Sequence, residues 1–216
     1  MPALRILIAD DHSVVRAGLR ALLESRSGWE VCAEASDGRD AVDKAIKLKP
    51  DVAVLDIGMP LLNGVEATRR IRTTSPSTEI LILTMHESDD LVQQVVQAGA
   101  RGYVLKDEAD RVLLAAVDAA RQHKPYFSTR LSNPLADELP ISPSDGAKPP
   151  RQRLTPRERE ILQLLTEGKS NKEVASLLGI SVNTAEAHRA NIMLKLGLHS
   201  LAELVHYAIR NQIIRP

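Results

Sequence analysis

Short apolar runs alternate with stretches of helical spacing along the first 122 residues. Residues 4–9, 30–35, 52–56, 79–84 and 102–106 have the length and composition of strands. Between them, Val15, Leu19, Leu22 and Leu23 share one face of a predicted helix over 13–25. Further helices are predicted at about 39–48, stopped by Pro50, and at 64–72, closed by Pro76. Two more follow, near 88–98, ending at Gly99, and from Asp107 to about Gln122. Asp10-Asp11-His12-Ser13 closes the first strand and offers helix caps. Five such βα units with short links predict a parallel sheet covered by helices on both faces.

The pattern changes after residue 122. Six prolines fall within 123–150 without apolar periodicity, which predicts an interdomain linker whose start, Lys124-Pro-Tyr-Phe-Ser128, packs on the preceding helix. Residues 154–214 are helical throughout. Thr155 caps the first helix, with Pro156 at its first position and Glu158 completing a capping box. Asn171 is the expected cap of a short helix over 172–178. A turn through Gly179 leads to a third helix from Ser181 to about Leu196, and a fourth runs from Ser200 to about Gln212. Two helices joined by a tight Gly-containing turn, at about 171–190, form a helix-turn-helix pattern, whose second helix enters a major groove. The expected domains are therefore 3–122, the linker 123–150, and 151–216.

Charge separates the two halves. The whole chain balances 28 Lys+Arg against 28 Asp+Glu. Residues 1–122 hold 15 basic against 19 acidic residues, whereas 151–216 hold ten against six. A cation for the front and a polyanion for the back are the partners such a division favours. The single cysteine, Cys32, lies in an apolar run, so no disulfide is expected and a reducing compartment fits. No apolar stretch approaches the ~20 residues that span a bilayer, and the N-terminus turns acidic too soon for a signal peptide. The expected location is the cytoplasm.

In a sheet of this kind, ligands bind beyond the carboxyl ends of the strands. Asp10, Asp11, Asp56, Thr84 and Lys106 stand at four of those ends. Singly, each is an ordinary helix cap or solvated residue; together they gather three carboxylates, a hydroxyl and an ammonium on one edge. The carboxylates repel one another, and a hard divalent cation, Mg²⁺ or Mn²⁺, relieves this. Asp11 and Asp56 are the expected ligands, with Asp10 direct or through water and the Gly58 carbonyl adding an oxygen. Lys106 and Thr84 suit a phosphoryl group beside that ion, and Asp56 can attack phosphorus as a nucleophile.

Residues 4–122 resemble the receiver domain of two-component response regulators, through Asp10-Asp11, Asp56 with Met59-Pro60 and Gly64, Thr84, and Lys106 preceded by Tyr103. The resemblance implies a flavodoxin-like five-stranded sheet of order 2-1-3-4-5. It also implies a sensor histidine kinase that donates a phosphoryl group to Asp56, and Tyr103 as a switch that swings inward. Two positions depart from the family. Gly58 has no side chain to tune the lifetime of the phosphoryl group. Lys106 is followed by Asp107 rather than proline, which argues against a cis peptide there.

Leu154-Thr-Pro-Arg-Glu-Arg-Glu160, Gly168-Lys-Ser-Asn-Lys-Glu173 and Thr184-Ala-Glu-Ala-His-Arg189 resemble the LuxR-type helix-turn-helix of the NarL/FixJ subfamily. Over 183–196, Ala185, Ile192 and Leu196 share the core face, and Asn183, Glu186, Ala187 and Ala190 the opposite one. By position the latter meet base edges, while Ser170, Asn171, Lys172, Thr184, His188 and Arg189 are phosphate candidates. For each of these the plain alternative is a solvated helix face, and for His188 a part-buried scaffold role. Ala185 replaces the family's usual valine and Ala187 a polar residue. The last helix resembles the family's dimerisation helix, although its apolar stripe equally closes a four-helix core.

The resemblance as a whole implies a transcriptional regulator, dimeric on two half-sites of double-stranded DNA, and not an enzyme beyond transfer to its own Asp56. An aspartyl-phosphate hydrolase of the haloacid dehalogenase type needs an acid two residues after its nucleophile, where this chain has Gly58. A ligand-sensing quorum regulator needs an aromatic-lined pocket, and the chain has one Trp, three Tyr and one Phe.

Overall fold

The computed structural model describes residues 3–85, 89–128 and 154–214, the side chains of Asp89 and Asp90 excepted. The chain divides into two compact units, Met1–Leu139 and Pro140–Pro216. Residues 129–150 of the predicted linker lie outside the described residues, as do 151–153 of the segment that follows it.

In the first unit, β1 (Leu4–Ala9), β2 (Trp29–Ala35), β3 (Val52–Asp56), β4 (Glu79–Thr84), β5 (Gly102–Leu105) and β6 (Tyr126–Phe127) form one parallel sheet. The helices are α1 (Ser13–Glu24), α2 (Gly38–Leu48), α3 (Gly64–Thr74), α4 (Asp89–Gln97) and α5 (Ala109–Arg121). A 3₁₀ turn, Lys106–Glu108, precedes α5, where the sequence predicts regular helix. Strand residues alternate between the two faces, as the pleat requires. Ile6, Ile8, Val52, Val54, Leu81, Leu83 and Val104 pack with Leu19 and Leu23 of α1 and Leu113 and Val117 of α5. Leu7, Ala53, Leu55, Ile80, Ile82 and Tyr103 pack with α2, α3 and α4. Both faces are covered, so the central strands carry unbroken apolar runs.

The sheet has six strands, in the order β2-β1-β3-β4-β5-β6, one more than the predicted five, and the added β6 follows residue 122. The chain leaves α5 through His123, at φ +58°, and turns back beside β5. Tyr126 N donates to Arg101 O at 3.2 Å and Ser128 N to Tyr103 O at 3.1 Å. Buried Glu79 anchors the return: Arg101 Nε lies 3.0 Å and His123 Nδ1 2.7 Å from its carboxylate. Burial pushes the Glu79 carboxyl up, but the hydrogen bonds from Arg101 and His123 outweigh it and hold the group below its ordinary value. Two residues are too few to show alternation, so β6 leaves no periodic mark in the sequence.

The second unit contains α6 (Pro156–Thr166), α7 (Asn171–Leu178), α8 (Val182–Leu196) and α9 (Leu201–Arg210). Ile161, Leu162, Leu164 and Leu165 of α6 are buried, as are Val174, Ala175, Ala185, Ile192, Leu204 and Ala208 from the other three. α6 carries the predicted capping box of Thr155 and Glu158. The cap of α7 is Ser170, not Asn171: Ser170 Oγ accepts from Glu173 N, and Glu173 reaches back. Gly179, at φ +63°, ends α7 in the left-handed conformation that glycine adopts without strain. Ser181 then caps α8.

Candidate functional site

The register of the sheet sets the site. Ala9 lies opposite Leu55, so Asp10 leaves β1 beside Asp56 at the end of β3. Asp56 pairs with Leu83, and Thr84 with Leu105, which places Thr84 and Lys106 at the next two strand ends. Asp10 and Asp56 are fully buried, and Thr84 nearly so. Lys106 Nζ lies 2.5 Å from Asp10 Oδ2 and 2.9 Å from Asp56 Oδ1. One ammonium therefore serves two buried carboxylates, with Asp11 on the exposed rim. Among the described residues, the three carboxylates outnumber the ammonium that bridges two of them, which leaves an excess of negative charge at a poorly solvated pole. Oxygen donors with this excess fit a hard divalent cation.

Local structure holds Asp56 in place. Asn63 caps α3 by accepting from Glu66 N at 3.0 Å. Gly64 N donates to Ile57 O at 2.9 Å, and the start of α3 lies against the Asp56 backbone: a Cβ on Gly64 would stand 2.2 Å from the Asp56 carbonyl oxygen. Met59 is buried and Gly58 half-buried. Tyr103 is fully buried in the cluster that contains Ile82 and Leu105, with Phe127 opposite it on β6. All described peptide bonds are trans, that between Lys106 and Asp107 included.

His12 lies just beyond the strand-end residues and joins them. The sequence offers Asp10-Asp11-His12-Ser13 as helix caps, yet His12, at the N-cap of α1, makes no side-chain cap hydrogen bond. Its N–H donates to Asp10 Oδ1 at 2.9 Å, and its Nδ1 lies 2.8 Å from Asp11 Oδ1 and 3.3 Å from Asp10 Oδ1. Asp10, Asp11 and His12 each bring one ligand atom to within 4.8 Å of the others. Arg16 Nη1 fixes the Asp10 carbonyl at 2.7 Å. No periodicity marks His12; its position directly after two strand-end aspartates is the signal available.

In the second unit, Asn183, Thr184, Glu186, Ala187 and Ala190 are exposed along α8, opposite buried Ala185 and Ile192. His188 and Arg189 are half-buried. Lys172 is exposed and Asn171 half-buried on the first turn of α7. The Ser170 hydroxyl is engaged by Glu173 Oε2 at 2.7 Å, so a role in phosphate contact competes with its cap. No helix among the described residues is long and apolar enough to cross a membrane.

Comparison with known proteins covers both units. The family "Response regulator receiver domain" matches residues 6–118, and "Bacterial regulatory proteins, luxR family" matches 152–208. Oxygen regulatory protein NreC of Staphylococcus aureus (strain bovine RF122 / ET3-1) is 40% identical over 216 residues, covering 98% of this chain and 99% of the relative. The response regulator ChrA of a heme-sensing two-component system is 34% identical, covers 99% of this chain and 100% of its own, and superposes with a TM-score of 0.52. The response regulator RcsB in complex with DNA is 28% identical over 95% of this chain and 98% of its own, with a TM-score of 0.64. The chain thus belongs to the two-component response regulators of the NarL/FixJ type, in which a receiver domain is joined to a LuxR-type DNA-binding domain.

Proposed function

We propose that the chain is a transcriptional regulator switched by phosphorylation of Asp56. The observation that carries this reading is Lys106, whose ammonium bridges Asp10 and Asp56 at the carboxyl edge of the sheet. Asp10, Asp11, Asp56 and the Gly58 carbonyl would hold Mg²⁺ or Mn²⁺. When bound, that ion offsets the negative charge of the carboxylates and of an incoming phosphoryl group. The donor is a phosphohistidine on a sensor kinase. The N–P bond breaks as an Asp56 oxygen attacks phosphorus, and an acyl phosphate forms. Lys106 then turns from the carboxylates to a phosphoryl oxygen, to which Thr84 also donates. Tyr103 follows Thr84 and reads the change out along β4 and β5.

The output is binding to double-stranded promoter DNA, as a dimer on two half-sites, through α8. Asn183, Glu186, Ala187 and Ala190 face the bases. Asn171, Lys172, Thr184, His188 and Arg189 contact phosphates, joined by Ser170 if its cap opens.

The test uses the full chain with Mg²⁺ and acetyl phosphate, compared with Asp56→Asn. The wild type should shift on a phosphate-affinity gel and bind DNA more tightly after treatment, and the variant should do neither. Equal labelling of the variant would remove Asp56 from its role.

A further inference from the structure

β6 lies directly beside the residue assigned as the switch. Tyr103 of β5 pairs with Phe127, and paired residues of neighbouring strands put their side chains on the same face. Tyr103 is fully buried in the cluster beneath α3 and α4, and half-buried Phe127 packs against that cluster at the end of the sheet. The backbones are tied at the same point: Ser128 N donates to Tyr103 O at 3.1 Å, and Ser128 is itself buried. Gly102 makes the approach possible, since a Cβ there would stand 2.5 Å from the Tyr126 carbonyl oxygen. β6 itself is a strand of two residues, the last in the sheet. An edge element this short opens locally at little cost, so what lies beneath Phe127 decides whether it stays docked.

We propose that β6 carries the state of Asp56 to the linker, with Phe127 as the positioning residue for Tyr103. The proposal rests on the reading of Asp56 as the phosphoryl acceptor and of Tyr103 as the residue that follows Thr84. Inward Tyr103 gives the Phe127 ring its seat, and the bond from Ser128 N to the Tyr103 carbonyl keeps the two rings in register. When Tyr103 swings out, the Phe127 ring is left over a void and loses its dispersion contacts on that side. Docked β6 and inward Tyr103 therefore favour one another, and a phosphoryl group on Asp56 favours both. The coupling is reciprocal: docking of β6 raises the affinity of the Asp56 site for a phosphoryl mimic by the factor by which the mimic raises docking. Release of residues 125–128 lengthens the tether to the DNA-binding unit by about 13 Å when extended. Phosphorylation thus shortens the tether and fixes where it starts.

Beryllofluoride with Mg²⁺ is the phosphoryl mimic, applied to the full chain and to Phe127→Ala, Ser128→Pro and Asp56→Asn. Ser128→Pro removes the N–H donor and suits the extended backbone of the residue before it. Amide hydrogen exchange at Ser128 of the wild type should slow about tenfold when the mimic binds. Phe127→Ala should exchange fast at Ser128 in both states and bind the mimic about tenfold more weakly, and Ser128→Pro should weaken it alike. Amides of β1 and β3 should stay protected in both variants, which separates release of β6 from unfolding. If the mimic binds through Asp56 yet leaves Ser128 exchange unchanged, or binds either β6 variant as tightly as the wild type, only the relay falls. If Asp56→Asn binds the mimic as the wild type does, the acceptor assignment falls and the relay with it.

Discussion

At Gly64 a missing side chain positions the site. The first turn of α3 approaches the end of β3 so closely that a methyl group would stand 2.2 Å from the Asp56 carbonyl oxygen and 3.0 Å from Ile57 Cα. Gly64→Ala should therefore push α3 away from Asp56, costing about 1–3 kcal/mol of stability and slowing labelling by acetyl phosphate. Gly18 is the control. It lies inside α1 with open space around it, and Gly18→Ala should stabilise the chain by roughly 0.5–1 kcal/mol. Denaturant unfolding measures both; equal effects would show that the close approach at Gly64 relaxes freely. This contrast marks a limit of the sequence. Asp56, Asp10 and Lys106 are legible because a charge at the end of an apolar run is locally conspicuous. The need for glycine at 64 arises from a neighbour eight residues away, and the place of His12 among carboxylates from the path of β1 into α1.

At the scale of elements, the start of α6 grips the helix-turn-helix. Lys195, in the last turn of α8, places Nζ 2.7 and 2.8 Å from the two oxygens of Glu158, which also accepts from Thr155 N. Its neighbour Arg157 donates to Leu178 O, at the end of α7, at 3.0 Å. Two adjacent residues of α6 thus reach both recognition elements. Burial pushes the Glu158 carboxyl up, but the hydrogen bonds from Lys195 and Thr155 outweigh it and hold it below its ordinary 4.5. A depressed folded-state value means a stabilisation present above the unfolded value and lost as pH falls through the folded one. Lys195→Met should cost about 1–2 kcal/mol near neutral pH, and less as the pH falls from the ordinary carboxylate value through the lowered one. Urea unfolding over a pH series from 7 into acid checks this; a cost that never shrinks as the carboxylate protonates would exclude the ion pair as its cause. The capping box was legible at 155–158 because its residues are three apart. The same spacing at 170–173 favours Ser170 over Asn171, since Glu173 lies three residues beyond Ser170. Both Ser and Asn are good caps, so propensity alone does not separate them.

At the scale of the molecule, an acidic α/β unit is joined to a basic helical unit. The division is legible in the charge count, four acids in excess before residue 123 and four bases in excess after residue 150. Charge count cannot say which surface of the second unit meets DNA, because the faces of α8 separate only when Ala185 and Ile192 turn inward. That separation makes two residues of one helix testable against each other. Glu186 is exposed on the outer face, where a carboxylate can accept from cytosine N4, whereas half-buried Arg189 is assigned to a phosphate. Arg189→Ala should weaken binding alike for all sequences and lower the slope of log affinity against log salt by about one. Glu186→Ala should leave the slope alone and relax preference at one base pair, by about 1–3 kcal/mol. Binding of both variants to a panel of operator sequences, titrated between low and moderate salt, separates the effects. Were Glu186→Ala to alter the slope while Arg189→Ala altered preference, α8 would meet the groove by a different face.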